Sequence, residues 1–162
     1  MIAKDFRNLL STWVKDPNLR NNILVIASEC IAREENFLKY IQSTYSNSAV
    51  LTLACPEKER DTYHGKIAAI IKCACPREIH VITREGSPHC FLLHSAVNEA
   101  VFLTGSTIQH KHFVYFNGRV IEIDADAVRV ARYLHIVNEL IRKVPDIVKI
   151  LEGVSLEKRL TK

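Results

Sequence analysis

Short apolar segments alternate with helix-periodic ones through the middle of this chain: strand 23–28, helix about 33–44, strand 49–54, helix about 60–74, strand 78–83, helix about 90–103 and strand 111–116. The segments ILVIAS, AVLTLA and EIHVIT are rich in Val, Ile and Leu without clean alternation, as strands are when both faces are covered. Such alternation predicts parallel strands joined by right-handed crossovers, and so a three-layer α/β sandwich. Asn117-Gly118, between FVYF and RVIEI, is a hairpin signal that turns a last strand, 119–123, back antiparallel at the sheet edge. The expectation is an α/β fold with a mainly parallel sheet of about five strands.

Two helical flanks complete this reading. Residues 3–15 place Phe6, Leu9, Leu10, Trp13 and Val14 on one helical face, and Asp16-Pro17 with Asn21-Asn22 ends the segment. At the other end, Asp124 or Asp126 caps a long helix over about 126–143, and Pro145 breaks or restarts it because proline has no amide hydrogen to give a helix interior. The predicted organisation is one domain over 1–162: an N-terminal helix in 1–20, an α/β core in 22–123 and a helical segment in 124–162. Val128, Val130, Ala131, Leu134, Val137, Leu140, Ile141 and Val144 cover more than a narrow stripe, which predicts burial on more than one side, against the sheet and against a second copy or another partner.

Charge and hydropathy narrow the classes of function. With 22 basic and 18 acidic residues the net charge is only +4, and the basic residues cluster only near the end, at Arg142, Lys143, Lys149, Lys158, Arg159 and Lys162. That balance reads as a solvated surface and argues against nucleic acid. No apolar run approaches the roughly 18–20 residues of a membrane span, and MIAKDFRNLLSTWVKD carries acids that a signal peptide lacks. A cytoplasmic protein is expected. Five cysteines, an odd number, favour free thiols, metal ligands or redox groups over a disulfide framework.

Three of those five cysteines fall where a strand ends and a helix begins: Cys30 after ILVIAS, Cys55 after AVLTLA and Cys90 shortly after EIHVIT. In an open parallel sheet the carboxyl ends of the strands border the ligand crevice, so thiols from three βα turns are expected to converge there. Glu34 and Glu35 mark a helix start behind Cys30, Pro56 suits a first helical turn behind Cys55, and His89 adds an imidazole beside Cys90. Soft sulfur with one borderline nitrogen suits zinc or an iron–sulfur cluster, so Cys30, Cys55, Cys90 and His89 form the candidate metal set. The plainer alternative makes each cysteine a small buried hydrophobe. Cys73 and Cys75 form a C-x-C at a helix end, on different helical faces, and read as packing residues. His80 reads as a packed strand residue. His64 and His94 are helix residues beyond Cys55 and Cys90, and His110 and His112 share a face at the amino end of their strand. A thiol catalyst built from Cys90, with His94 rather than the adjacent His89 as base, ranks last.

Several familiar signatures are missing. SECIAR stands where a G-x-G-x-x-G would follow the first strand, and there is no Walker-type loop, G-x-S-x-G elbow or H-E-x-x-H. The spacing of ILVIASEC, AVLTLACPEKE and EIHVITREGSPHC, followed by HFVYFNGRVIEI, resembles the α/β domain of prokaryotic 4Fe–4S ferredoxin-like proteins over about residues 22–123. That resemblance implies that Cys30 matches the family's first cysteine, Cys55 the cysteine before proline and Cys90 the second of two adjacent cysteines, with His89 in place of the first. It departs in lacking the ferredoxin segment, with no C-x-x-C anywhere, so an electron-transfer role implies a partner protein that supplies the cluster. A fainter similarity is to β-class carbonic anhydrases, which hold zinc with cysteine and histidine at the ends of parallel strands. Here Ala32 replaces the expected acid, and the histidine is adjacent to Cys90 instead of three residues before it.

Two functions are therefore expected. In one, a cytoplasmic protein holds zinc or an iron–sulfur cluster at the crest of its sheet, in redox chemistry with a partner protein or as a structural metal, with Glu29 and Glu85 as supporting carboxylates. In the other, a metal-free scaffold or regulatory module binds protein, or a second copy, through its C-terminal helices.

Overall fold

The computed structural model describes residues 6–45, 48–59, 63–155 and 157. The chain divides into two compact units, Met1–Ala125 and Asp126–Lys162. In the first unit a six-stranded sheet is formed by β1 (Arg7–Asn8), β2 (Ile23–Ser28), β3 (Ala49–Ala54), β4 (Glu78–Arg84), β5 (Gln109–Phe116) and β6 (Arg119–Ile123), in the order β1-β3-β2-β4-β5-β6. Every pairing is parallel except β5 with β6. Helices α1 (Glu35–Thr44), α2 (Tyr63–Ala74) and α3 (Pro88–Thr104) make the crossovers. This is the predicted α/β sandwich, with one strand more than expected.

The side-chain period of two divides each strand between two cores. Leu24 and Ile26 of β2, with Ile79 and Val81 of β4, pack under Ile67, Ile70, Leu93 and Val97 of α2 and α3. Ile23, Val25 and Ala27, with Ile82 and Phe113, pack under Phe37 and Ile41 of α1. All six residues of β2 are buried, so apolar side chains on both faces replace the alternation of a half-exposed strand.

The N-terminal helix is not formed by the described residues. Arg7 and Asn8 pair with Thr52 and Leu53 at the edge of β3, and the Leu9 amide donates to the Leu53 carbonyl at 2.8 Å. Turns follow, then a short 3₁₀ turn over Pro17–Leu19 capped by the Asp16 side chain. The helical periodicity is overridden because β3 offers an edge of unpaired backbone groups that this segment satisfies, burying Leu9 fully and leaving Trp13 64% exposed. Residues 3–5 of the predicted helix lie outside the described residues.

The second unit is helical. The predicted single helix over 126–143 is instead α4 (Ala125–Ala131) and α5 (Leu134–Lys143). Amides of Arg132 and Tyr133 bond three residues back, to Arg129 and Val130, which tightens and closes α4. Pro145 precedes α6 (Asp146–Val154), as its missing amide hydrogen requires. Of the apolar positions predicted to be buried on more than one side, Val128 is buried, whereas Leu134, Leu140, Ile141 and Val144 are exposed, Leu134 to 76%. Among the described residues no helix is long and apolar enough to cross a membrane.

The predicted hairpin is present: Asn117 and Gly118 have φ of 47° and 76°, the paired positive values of a type I′ turn. A methyl group on Gly118 would also stand 2.8 Å from the Asn36 amide. Gly118→Ala is expected to lower stability by about 1–2 kcal/mol, read as a lower urea midpoint with an unchanged m-value.

Candidate functional site at the carboxyl ends of the strands

The connection from β2 through α1 runs to β3 on one side, and the connection from β3 through α2 crosses to β4 on the other. The winding reverses at β2, so a crevice opens outside its carboxyl end. There the chain forms a 3₁₀ turn over Glu29–Ile31 before α1, which places Cys30 in that turn and not at the start of the helix.

The turn is held from both neighbours. Lys58 Nζ, beyond β3, donates to Glu29 at 2.8 Å. From β4, the Arg84 guanidinium donates to Glu34 at 2.7 Å and to the Cys30 carbonyl at 3.3 Å. The Arg84 amide donates to Ser28 Oγ at 3.1 Å.

The turn carrying Cys55 is pinned through its own backbone. The Cys55 carbonyl accepts from the Lys58 and Glu59 amides at 3.0 and 2.9 Å, while its amide donates to Tyr63 Oη at 3.1 Å and to Glu59 at 3.2 Å. Burial works against ionisation of Glu59, but bonds from Tyr63, Asn8 and the Cys55 amide outweigh it and hold the carboxyl below its usual range. Burial, together with that carboxylate, pushes the Tyr63 phenol up.

Cys30 and Cys55 line one cavity of about 580 Å³ with Glu29, Arg33, Glu57 and Lys58. Cys90 is buried on the first turn of α3, where Ser87 Oγ accepts from its amide at 3.3 Å. Burial pushes its thiol up, and a negative charge on Cys30 pushes the same way. Cys30 thus lines a cavity with Cys55, and Cys90 follows β4, the strand on the other side of β2. His89 is exposed on the same helical turn as Cys90. Cys73 and Cys75 are exposed, away from this cluster at the end of α2. Among the described residues no group of three or more His, Cys, Asp and Glu side chains is arranged to hold a metal ion.

A second polar cluster lies between α3 and the sheet. Thr83 Oγ1 is 2.8 Å from His94 Nε2, His94 Nδ1 is 2.9 Å from His112 Nδ1, and His112 Nε2 is 3.1 Å from Asn98 Oδ1. The chain fixes its own protons. Asn98 Oδ1 only accepts, so neutral His112 carries its proton on Nε2 and accepts at Nδ1 from His94. His94 then has only Nε2 left, which accepts from Thr83. Asn98 Nδ2 and His110 Nε2 are buried beside this network with no hydrogen-bond partner among the described residues. His94 thus serves β4 and β5, not Cys90 one turn earlier, so the thiol–imidazole pair is not assembled. On the other face His80 is packed as expected, with Nδ1 at 2.7 Å from the Tyr45 hydroxyl and Nε2 at 3.0 Å from Glu78.

A family model described as Rossmann-like domain matches residues 16–160. The chain belongs to the Rossmann-like domain family. No curated protein and no solved structure matches it. The match supports the predicted α/β core. The turn after β2 carries no glycine, and Glu29 of that turn is among the residues that line the cavity.

Burial lowers the pKa of His94 from 6.5 to about 4. Above pH 6.5 it is neutral folded or unfolded. Between 6.5 and 4 only the unfolded chain takes the proton, so this Rossmann-like domain loses stability as pH falls through that window, by about 3 kcal/mol from this group. His94→Gln should be less stable at pH 7.5 yet show a smaller further loss by pH 4.5, read from urea midpoints at the two values.

Proposed function

We propose that this Rossmann-like domain binds a soft metal, zinc or an iron–sulfur cluster, at the crest of its sheet. Cys30, Cys55 and Cys90 supply the sulfur, and His89 is the fourth donor. The observation that carries this reading is the placement of Cys30, which shares a cavity with Cys55 and follows the strand that lies between those leading to Cys55 and Cys90. Sulfur with one imidazole is the donor chemistry of zinc and of clusters. Glu29 and Glu57 add carboxylates to the same cavity. Such a metal supplies a Lewis acid or an electron carrier. The chain's own part is to hold the thiols in order, through the Lys58–Glu29 and Arg84–Glu34 ion pairs on either side of Cys30. The ferredoxin-like resemblance supports a redox partner protein for the cluster, and free thiols fit the reducing cytoplasm.

One observation favours a second reading. In the C-terminal unit, α5, α6 and the turn between them expose Leu134, Leu140, Val144, Ile147, Ile150 and Leu151. Apolar surface on that scale suits a scaffold or homo-oligomer that binds through these helices. The dispersed charge argues against nucleic acid in either case.

Protein purified anaerobically without added metal decides between them. Elemental analysis is expected to find about one zinc, or iron with a charge-transfer absorption, and the metal should be lost from Cys30→Ser, Cys55→Ser and Cys90→Ser. Metal-free wild-type protein that is folded would overturn the metal reading and leave the helical surface as the functional one.

A further inference from the structure

The C-terminal helices repeat one apolar spacing. Val137, Leu140 and Ile141 of α5, with Val144 just beyond it, stand at i, i+3, i+4 and i+7, and Ile147, Ile150, Leu151 and Val154 of α6 do the same. All but Val137 are exposed. Neither helix contains a buried residue, so the two do not cover each other. Their unit, Asp126–Lys162, falls below the roughly 40 residues under which a fold usually needs a disulfide, a metal or a second chain. No cysteine follows Cys90 and His135 is the unit's one histidine, so neither a disulfide nor a sulfur–imidazole metal site supplies that hold. A partner chain is what remains.

The charge on these helices selects the partner. Between Leu134 and Val154 the bases Arg142, Lys143 and Lys149 balance the acids Glu139, Asp146 and Glu152, and Lys149 is already paired with Asp146 at 2.7 Å. A polyanion or an anionic bilayer calls for an excess of base, which this surface lacks. A surface without net charge meets its own copy without repulsion. The stretch 134–154 also matches the roughly 20–30 residues that each side gives to a stable interface. We propose, on the reading of these helices as a binding surface, that α5 and α6 dock on the same helices of a second copy, joining two chains about a two-fold axis in a four-helix layer. In such a contact one self-matched patch covers the apolar faces of all four helices at once. Ile136 in α5 and Val148 in α6 widen the apolar arc beyond the narrow seam of a two-stranded coil, and that width suits helices with two neighbours each.

The test uses the full chain, reduced and stripped with a chelator so that neither sulfur nor metal links copies. Sedimentation equilibrium over a wide range of protein concentration is expected to approach twice the 18.5 kDa chain mass. Leu140→Glu combined with Ile150→Glu should weaken the association at least about tenfold. Hydrogen exchange on wild-type protein locates the contact without a variant: amides within 134–154 should gain protection as the dimer forms. Wild type at the single-chain mass throughout, an assembly larger than two chains, or protection gained only outside these helices would each overturn the second copy, as would a single-chain species that floats with anionic vesicles. Where wild type stays single, an environment-sensitive dye separates the two failures. Dye taken up by wild type and lost from the double variant keeps these helices as a surface for a different partner, whereas no uptake removes that reading as well.

Discussion

A parallel strand ends with backbone groups that its neighbours no longer satisfy, and the carboxyl end of β2 resolves this through a side chain. Its ladder with β4 runs from Ile23↔Glu78 to Ala27↔Ile82, and beyond it the Arg84 amide turns to Ser28 Oγ instead of a carbonyl. That bond lets β2 leave the sheet without orphaning a buried donor, which would cost about 1–3 kcal/mol. It also fixes where the next residues go: the Glu29–Ile31 turn starts at Ser28, so the position of Cys30 over the sheet follows from one hydroxyl. Ser28 lies on the same face of β2 as Leu24 and Ile26, the face that packs under α2 and α3.

The charges around the turn order it more than they stabilise it. Lys58–Glu29 and Arg84–Glu34 are exposed pairs, and exposed pairs contribute between zero and about 1 kcal/mol. Their value lies in direction. One pulls the turn toward β3 and the other ties it to β4, so Cys30 is held between two anchored neighbours. Glu59 is anchored more firmly, since it gathers Tyr63, Asn8 and the Cys55 amide, and Asn8 brings β1 into the same knot. The edge strand that displaces the N-terminal helix therefore also fastens one wall of the crevice.

The parallel core, its returning hairpin and the cysteines at the strand ends were legible because each rests on local signals: apolar runs, Asn117-Gly118, and a turn residue after each strand. The N-terminal segment was not. Phe6, Leu9 and Leu10 fit a helical period, but the decisive interaction, Leu9 with Leu53, joins residues far apart in sequence. The end of α4 escaped for a related reason, since apolar periodicity runs straight through Arg132 and Tyr133 where the backbone does not. For the site, sequence placed Cys30 and Cys55 on the crest but could not tell an exposed thiol from the buried one at Cys90. The pairing of His94 with His112 carried a signal that was passed over. His112 lies in register with Val81, a core residue, and His94 follows Cys90 by four, so both point between α3 and the sheet.

That buried pair bears on how the crest is built. Three apolar layers would pack without it, so a polar chain beneath α3 demands that each member find its partner. Thr83 holds one end on β4, Asn98 holds the other on α3, and His112 reaches in from β5. Sliding α3 by one residue would break all of these bonds and strand imidazoles in an apolar layer, whereas Leu93 and Val97 alone would tolerate a new packing. The helix is therefore set along its axis by hydrogen bonds. Cys90, one turn ahead of His94, inherits that setting. The place of the Cys90 thiol is thus set by hydrogen bonds one turn further along the helix.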